Sequence, residues 1–121
     1  MEEKKNNGPL LESLAGQVVT AICFVQDYVE IHFEGPILTA YEWPLLFRDD
    51  GSFTESSPFY RHYLCGLIAA RVVKTREEQD RKLILAFDNH QSIEIPIDPS
   101  SLSSVEAAML VDSTRKKIHV W

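Results

Sequence analysis

The chain has 121 residues, 45% hydrophobic and 25% charged, the size and make-up of one globular domain with a real core. Its formal net charge of −6 argues against nucleic acid as a partner, because a grip on phosphates needs clustered Lys and Arg; it favours basic partners instead. No apolar run approaches the ~20 residues of a membrane span, and "MEEKKNNGP" lacks the apolar heart of a signal peptide, so the expectation is a cytoplasmic protein with no membrane contact.

Residues 1–9 are almost wholly polar and read as a disordered lead; 10–121 read as a single β-rich domain. Strand-like runs follow at about 17–25, 28–34 and 37–42. In the middle run Val29, Ile31 and Phe33 alternate with Glu30, His32 and Glu34, a period of two that gives a strand one apolar and one polar face. "EGP" supplies the turn into the third run.

The stretch 43–63 holds Pro44, "DDG" and "SSP" and reads as an irregular connector. It is also rich in aromatics: Tyr41, Trp43, Phe47, Phe53, Phe59, Tyr60 and Tyr63 lie in or beside it. Such a concentration either closes over the core or forms an interaction patch. Tyr41, Trp43, Phe47, Phe53, Phe59 and Tyr60 are the partner-binding candidates.

Strand-like runs resume at 67–75, 82–88 and 92–97, with apolar faces Leu83/Leu85/Phe87 and Ile93/Ile95/Ile97. At the end, Met109 and Val111 answer Ile118 and Val120 across "DSTRKK", which predicts a hairpin. The rival is a short helix over "SLSSVEAAML", with Ser104 as its cap.

The chain repeats itself over about 14–42 and 64–97. Leu14, Gly16, Val18 and Ile22 match Leu64, Gly66, Ile68 and Val72 at one offset. Val29, Ile31, Phe33 and Glu34 match Leu83, Leu85, Phe87 and Asp88 at a slightly larger one, the extra residues falling in "TREEQDR", where a hairpin loop tolerates them. Leu14 and Leu64 are placed to end a short turn under the sheet, and Gly16 and Gly66 suit a bend or a positive φ. The expected fold is mainly β: two duplicated three-stranded antiparallel meanders closing into a sandwich or barrel, plus a C-terminal hairpin or short helix.

The pattern "LxGxxV" followed by an "LxF(D/E)xG" hairpin, given twice, is carried by Leu14, Gly16, Val18, Phe33, Glu34, Gly35, Leu64, Gly66, Leu85, Phe87 and Asp88, then by "EAAMLV" and "IHVW". In this it resembles a loose group of small bacterial proteins without assigned activity. The resemblance implies a β-rich fold and, from members that look like immunity partners of secreted toxins, a protein-binding role. At "DNHQ" the chain has Asn89 and His90 where that pattern has a glycine turn.

Glu30, His32 and Glu34 are ligand types suited to Zn²⁺ or Mn²⁺. The plainer expectation is a solvated strand face, wet and acidic in the first unit and drier in the second, where Ile84, Ala86 and Asp88 stand at the matching positions. Cys23 and Cys65, each in an apolar run, read as buried reduced thiols. His62 lies three residues before Cys65 in "RHYLCG", without an orienting third group, and no nucleotide, P-loop or zinc-knuckle spacing occurs. No catalytic residue and no cofactor is assigned. The expected function is a non-enzymatic protein-binding domain, either an immunity-like inhibitor or a self-associating accessory protein such as a homodimer. In the inhibitor form, Glu30, Glu34, Asp49, Asp50 and Glu55 would meet a basic partner. The alternative is a small metal-binding module or metal-dependent enzyme using Glu30, His32 and Glu34.

Overall fold

The structure is a computed structural model and describes residues 8–102 and 106–121. A 3-10 turn at Leu11–Leu14 leads into strands β1 (Ala21–Val25), β2 (Tyr28–His32), β3 (Ile37–Ala40), β4 (Leu45–Arg48) and β5 (Gly51–Phe53). A short helix α1 (Tyr60–Cys65) follows, then β6 (Val72–Glu78), β7 (Lys82–Phe87), β8 (Ser92–Pro96), a 3-10 turn at Pro99–Ser101, β9 (Ala108–Val111) and β10 (Ile118–Val120). The fold is mainly β, as the period-two runs predicted. Two five-stranded antiparallel sheets run β1-β2-β3-β9-β10 and β5-β4-β8-β7-β6.

Both three-stranded meanders exist, and the registers of their second and third strands agree; the first strands do not, because Ile22 pairs with Ile31 while its sequence match Val72 pairs with Phe87, ahead of a bulge. Val29 pairs with Ala40 and Ile31 with Leu38; at the matching places Leu83 pairs with Ile95 and Leu85 with Ile93. Neither meander makes a sheet alone. The β4–β5 hairpin follows the first meander in the chain but adds to β8 of the second; β9–β10 follows the second and adds to β3 of the first. The halves therefore interlock by exchanging hairpins. A middle inward row, Ile31, Leu38 and Leu110, faces its counterpart Leu85, Ile93 and Leu46, all fully buried. Each such side chain contributes roughly 1.5–3 kcal/mol by leaving water.

The predicted strands 17–25 and 67–75 are shorter as sheet members because their first residues leave to pair with each other. Gly16 N–H donates to the Val72 carbonyl (2.8 Å), Val72 N–H to Gln17 (2.8 Å), Val19 N–H to Ala70 (2.9 Å) and Ala69 N–H to Val19 (2.8 Å). This seam, with its bridge between Val18 and Arg71, joins the two sheets along one edge. Beside it, the 3-10 turn packs on β6 and α1 packs on β1 and β4. Leu14 and Leu64 are buried at the ends of these plugs, as the repeat suggested. Gly16 has a φ of +87°, whereas Gly66 is right-handed at −63°. A Cβ on Gly66 would lie 2.9 Å from the Tyr63 carbonyl oxygen, so there close approach, not handedness, needs the glycine.

The connector 43–63 is more ordered than its breakers indicated. "DDG" is a hairpin turn: Arg48 pairs with Gly51 across Asp49 and Asp50, with Gly51 at φ +137°. The C-terminal segment forms the hairpin and not the helix, with a strand from Ala108 onward; Ser104, the cap that helix would need, lies outside the described residues. The lead over 1–9 falls outside them as well, apart from Gly8 and Pro9. Gly8 rests on the Ile118 backbone with no room for a Cβ.

Candidate functional site

Alternation sends Ile22 and Phe24, Val29 and Ile31, Leu38 and Ala40, and Ala108 and Leu110 inward. What remains on the outer face of the first sheet follows from register. One row across the strands reads Cys23, Glu30, Thr39, Met109 and Val120; the next reads Ala21, His32, Ile37, Val111 and Ile118. Glu30 and His32 are the ionisable members beside one thiol, and neither row has a Lys or Arg. Thr39, in the middle strand between Glu30 and Met109, is only 3% exposed. Tyr28 and Tyr41 extend the face at one end, their rings 5.4 Å apart. Burial raises the Tyr41 phenol above its ordinary value, with smaller contributions from Glu106, Tyr28 and Glu30.

Glu30 and His32 do meet: His32 Nε2 lies 2.9 Å from Glu30 Oε1, both side chains about 30% exposed. Glu34 sits past the strand end, exposed, before Gly35 at φ +109°. Among the described residues no three His, Cys, Asp or Glu side chains come together in a group that could hold a metal ion, so the trio is not brought together as a ligand set. The strand ends at His32 and turns away before Glu34 can share its face.

Cys23 corrects the expectation of a buried thiol. It is exposed, because Ile22 and Phe24 on either side take the inward positions; Cys65 is half-buried, and both thiols are free. His62 is exposed beside the Tyr63 ring.

The six aromatic candidates disperse. Tyr41 joins the outer face of the first sheet. Tyr60 is buried and donates its hydroxyl to the Pro44 carbonyl (2.5 Å), with Trp43 edge-on at 6.5 Å; burial, and secondarily Glu55, pushes its phenol far upward. Those two close the core. Phe53 packs on Tyr63 at 4.9 Å, under the Arg48 guanidinium 3.9 Å from the Tyr63 ring. Phe59, at the start of α1, is 71% exposed with φ 63°. Phe47 points outward from the second sheet, opposite Ser52 and Ser92. Asp49, Asp50 and Glu55 are exposed, and Asp50 is paired with Arg48 at 3.1 Å.

The outer face of the second sheet is of another kind. Lys74, Arg76 and Glu78 of β6, Lys82 of β7 and Glu94 of β8 stand on it, with Lys82 and Glu94 3.0 Å apart and Arg76 and Glu78 3.5 Å apart. Ile84 and Ala86 of β7 and Phe47 of β4 stand on this face too, so the matching strands still contrast as Glu30/His32 against Ile84/Ala86; what differs is their neighbours, charged on β6 and apolar on β9 and β10. On the first sheet β3, β9 and β10 complete the outer face with Ile37, Met109, Val111 and Ile118, all half-buried, and with Val120, which is only 8% exposed. Sequence reasoning missed these residues as surface, although "AMLV" is apolar on both faces, the pattern of a strand covered on two sides.

On the inward side of β10, His119 stacks on Trp121 at 4.2 Å, and His119 Nδ1 and Trp121 Nε1 are buried without hydrogen-bond partners. Burial lowers the His119 imidazole, opposed by Glu77. No helix among the described residues is long and apolar enough to cross a membrane. Comparison with protein-family models, with curated proteins and with solved structures finds no match for this chain.

Proposed function

We propose that the protein is a non-enzymatic protein-binding domain, built from a duplicated unit, that docks its partner on the outer face of the first sheet. The observation that carries this is the pair of rows just described: five strands wide, with Ile37, Met109, Val111 and Ile118 half-buried on the outer side beside Glu30, His32 and Thr39. A solvated sheet face normally alternates to polar side chains, and a contiguous apolar patch on a small domain marks an interaction surface. The matched registers of the second and third strands and the reciprocal exchange of hairpins support duplication. A cytoplasmic setting accords with two free thiols, one exposed.

Of the partners the sequence suggested, an apolar one fits this face better than a basic one, because its lone carboxylate is already paired with His32. An immunity-like inhibitor of a basic toxin would have to use the other end of the molecule, at Asp49, Asp50, Glu55 and Phe59. A photo-crosslinking side chain at Ile37, compared with one at Ile84 on the opposite face, tests the assignment. Protein adducts, with a second copy or with another protein, are expected from position 37 alone. Equal yields from both positions, or none from either, would remove the face as the docking site.

A further inference from the structure

Building on that docking face, we infer that its occupant is a second copy of this chain, packed sheet against sheet about a two-fold axis perpendicular to the strands. The argument is self-complementarity. An in-plane axis that crosses the strands between the two outward rows lays each row of one copy over the other row of its mate. Glu30 then faces the mate's His32, Thr39 faces Ile37, Met109 faces Val111, and Val120 faces Ile118. Acid meets imidazole twice, and apolar side chains meet apolar or methyl-bearing ones. An axis along the strands would instead lay Glu30 on Met109 and bury two carboxylates against hydrocarbon, which is costly.

Charge points the same way. The chain carries −6 overall, so two copies repel through most of their surfaces. The two outward rows of this face hold one carboxylate, hydrogen-bonded to an imidazole 2.9 Å away.

The area suffices for a reversible contact. Five strands at ~4.8 Å spacing span about 24 Å, and aligned sheets pack ~10 Å apart. With strands of three to five residues, about 10–17 Å long, two such faces cover roughly 700 Å² together, the size of a weak, transient contact. The association is expected to depend little on salt, because the contact is mainly apolar.

Sedimentation equilibrium on the purified chain, across about a hundredfold concentration range, tests the inference. The expected result is a monomer–dimer equilibrium that Ile37→Glu weakens by about 100-fold, by setting a new carboxylate near the mate's Glu30, while Ile84→Glu leaves it unchanged. His32→Glu should weaken it by at least about tenfold, and adding Glu30→His should restore it. Unchanged thermal unfolding of each variant at monomer concentrations shows that association, not folding, was altered. A wild type that stays monomeric throughout, or a dimer that Ile37→Glu leaves intact, overturns the inference. If the purified chain is monomeric and position 37 still crosslinks to another protein, the second copy is excluded and the binding-domain reading stands; if position 37 crosslinks to nothing, both fall.

Discussion

The middle inward row of the first sheet runs Ile22, Ile31, Leu38, Leu110 and His119; that of the second runs Thr75, Leu85, Ile93, Leu46 and Phe53. The central three of each are interchangeable aliphatics in matching registers. Outside, the first sheet shows Ile37, Met109, Val111 and Ile118 beside Glu30 and His32, whereas the second shows Lys74, Arg76, Lys82 and Glu94 beside Phe47 and Ile84. The inside must fill a close-packed core and has little freedom. The outside meets only what lies beyond the molecule, so a departure from polar alternation there points to contact.

Equality inside is the part most easily broken. Leu14→Ala and Leu64→Ala remove equivalent fully buried plugs, and each should cost about 3 kcal/mol in urea unfolding. A difference larger than the cost itself would mean the two plugs are not equivalent. Tyr60 is where the plugs differ, because its hydroxyl bonds the Pro44 carbonyl inside the protein. Tyr60→Phe should cost about 1.5 kcal/mol by leaving that carbonyl unpaired, and a neutral result would show the bond to be dispensable.

The inward ends of the two hairpins differ by a titratable group, His119 against Phe53. Burial holds the His119 imidazole below its ordinary value of 6.5 in the folded chain, with Glu77 opposing. The unfolded chain therefore takes up the proton first as pH falls. The destabilisation is absent above about 6.5 and grows as pH drops through the folded-state value. Unfolding midpoints measured at a series of pH values should show this loss in the wild type and lack it in His119→Phe; parallel profiles would assign it to other groups. The smallest effect belongs to the outer face of the second sheet. Breaking Lys82–Glu94 with Lys82→Met should change stability by about 0.5 kcal/mol or less, and a larger loss would make that face more than a solvated surface.

Much of the fold was legible in residue order. The period of two in "YVEIHF", "KLILAF" and "SIEIP" specified strands and their inward sides, because a strand's faces are set by parity alone. The match of Leu14 to Leu64 placed both plugs, and Met109/Val111 against Ile118/Val120 placed the last hairpin. The site was less legible. Glu30 and His32 were adjacent on one face as predicted, yet the aromatic run Tyr41–Tyr60 divided among the core, two sheet faces and the start of α1. Local pattern says which way a side chain points from its own strand; it does not say which strand lies alongside. That the outer face of the first sheet carries an apolar cluster was decided by the hairpin exchange, which brought Met109, Val111 and Ile118 from the far end of the chain to lie beside Ile37. Hydrogen-bonded edges pair by geometry at long sequence separation, and only the assembled sheet shows what their outward residues have become together.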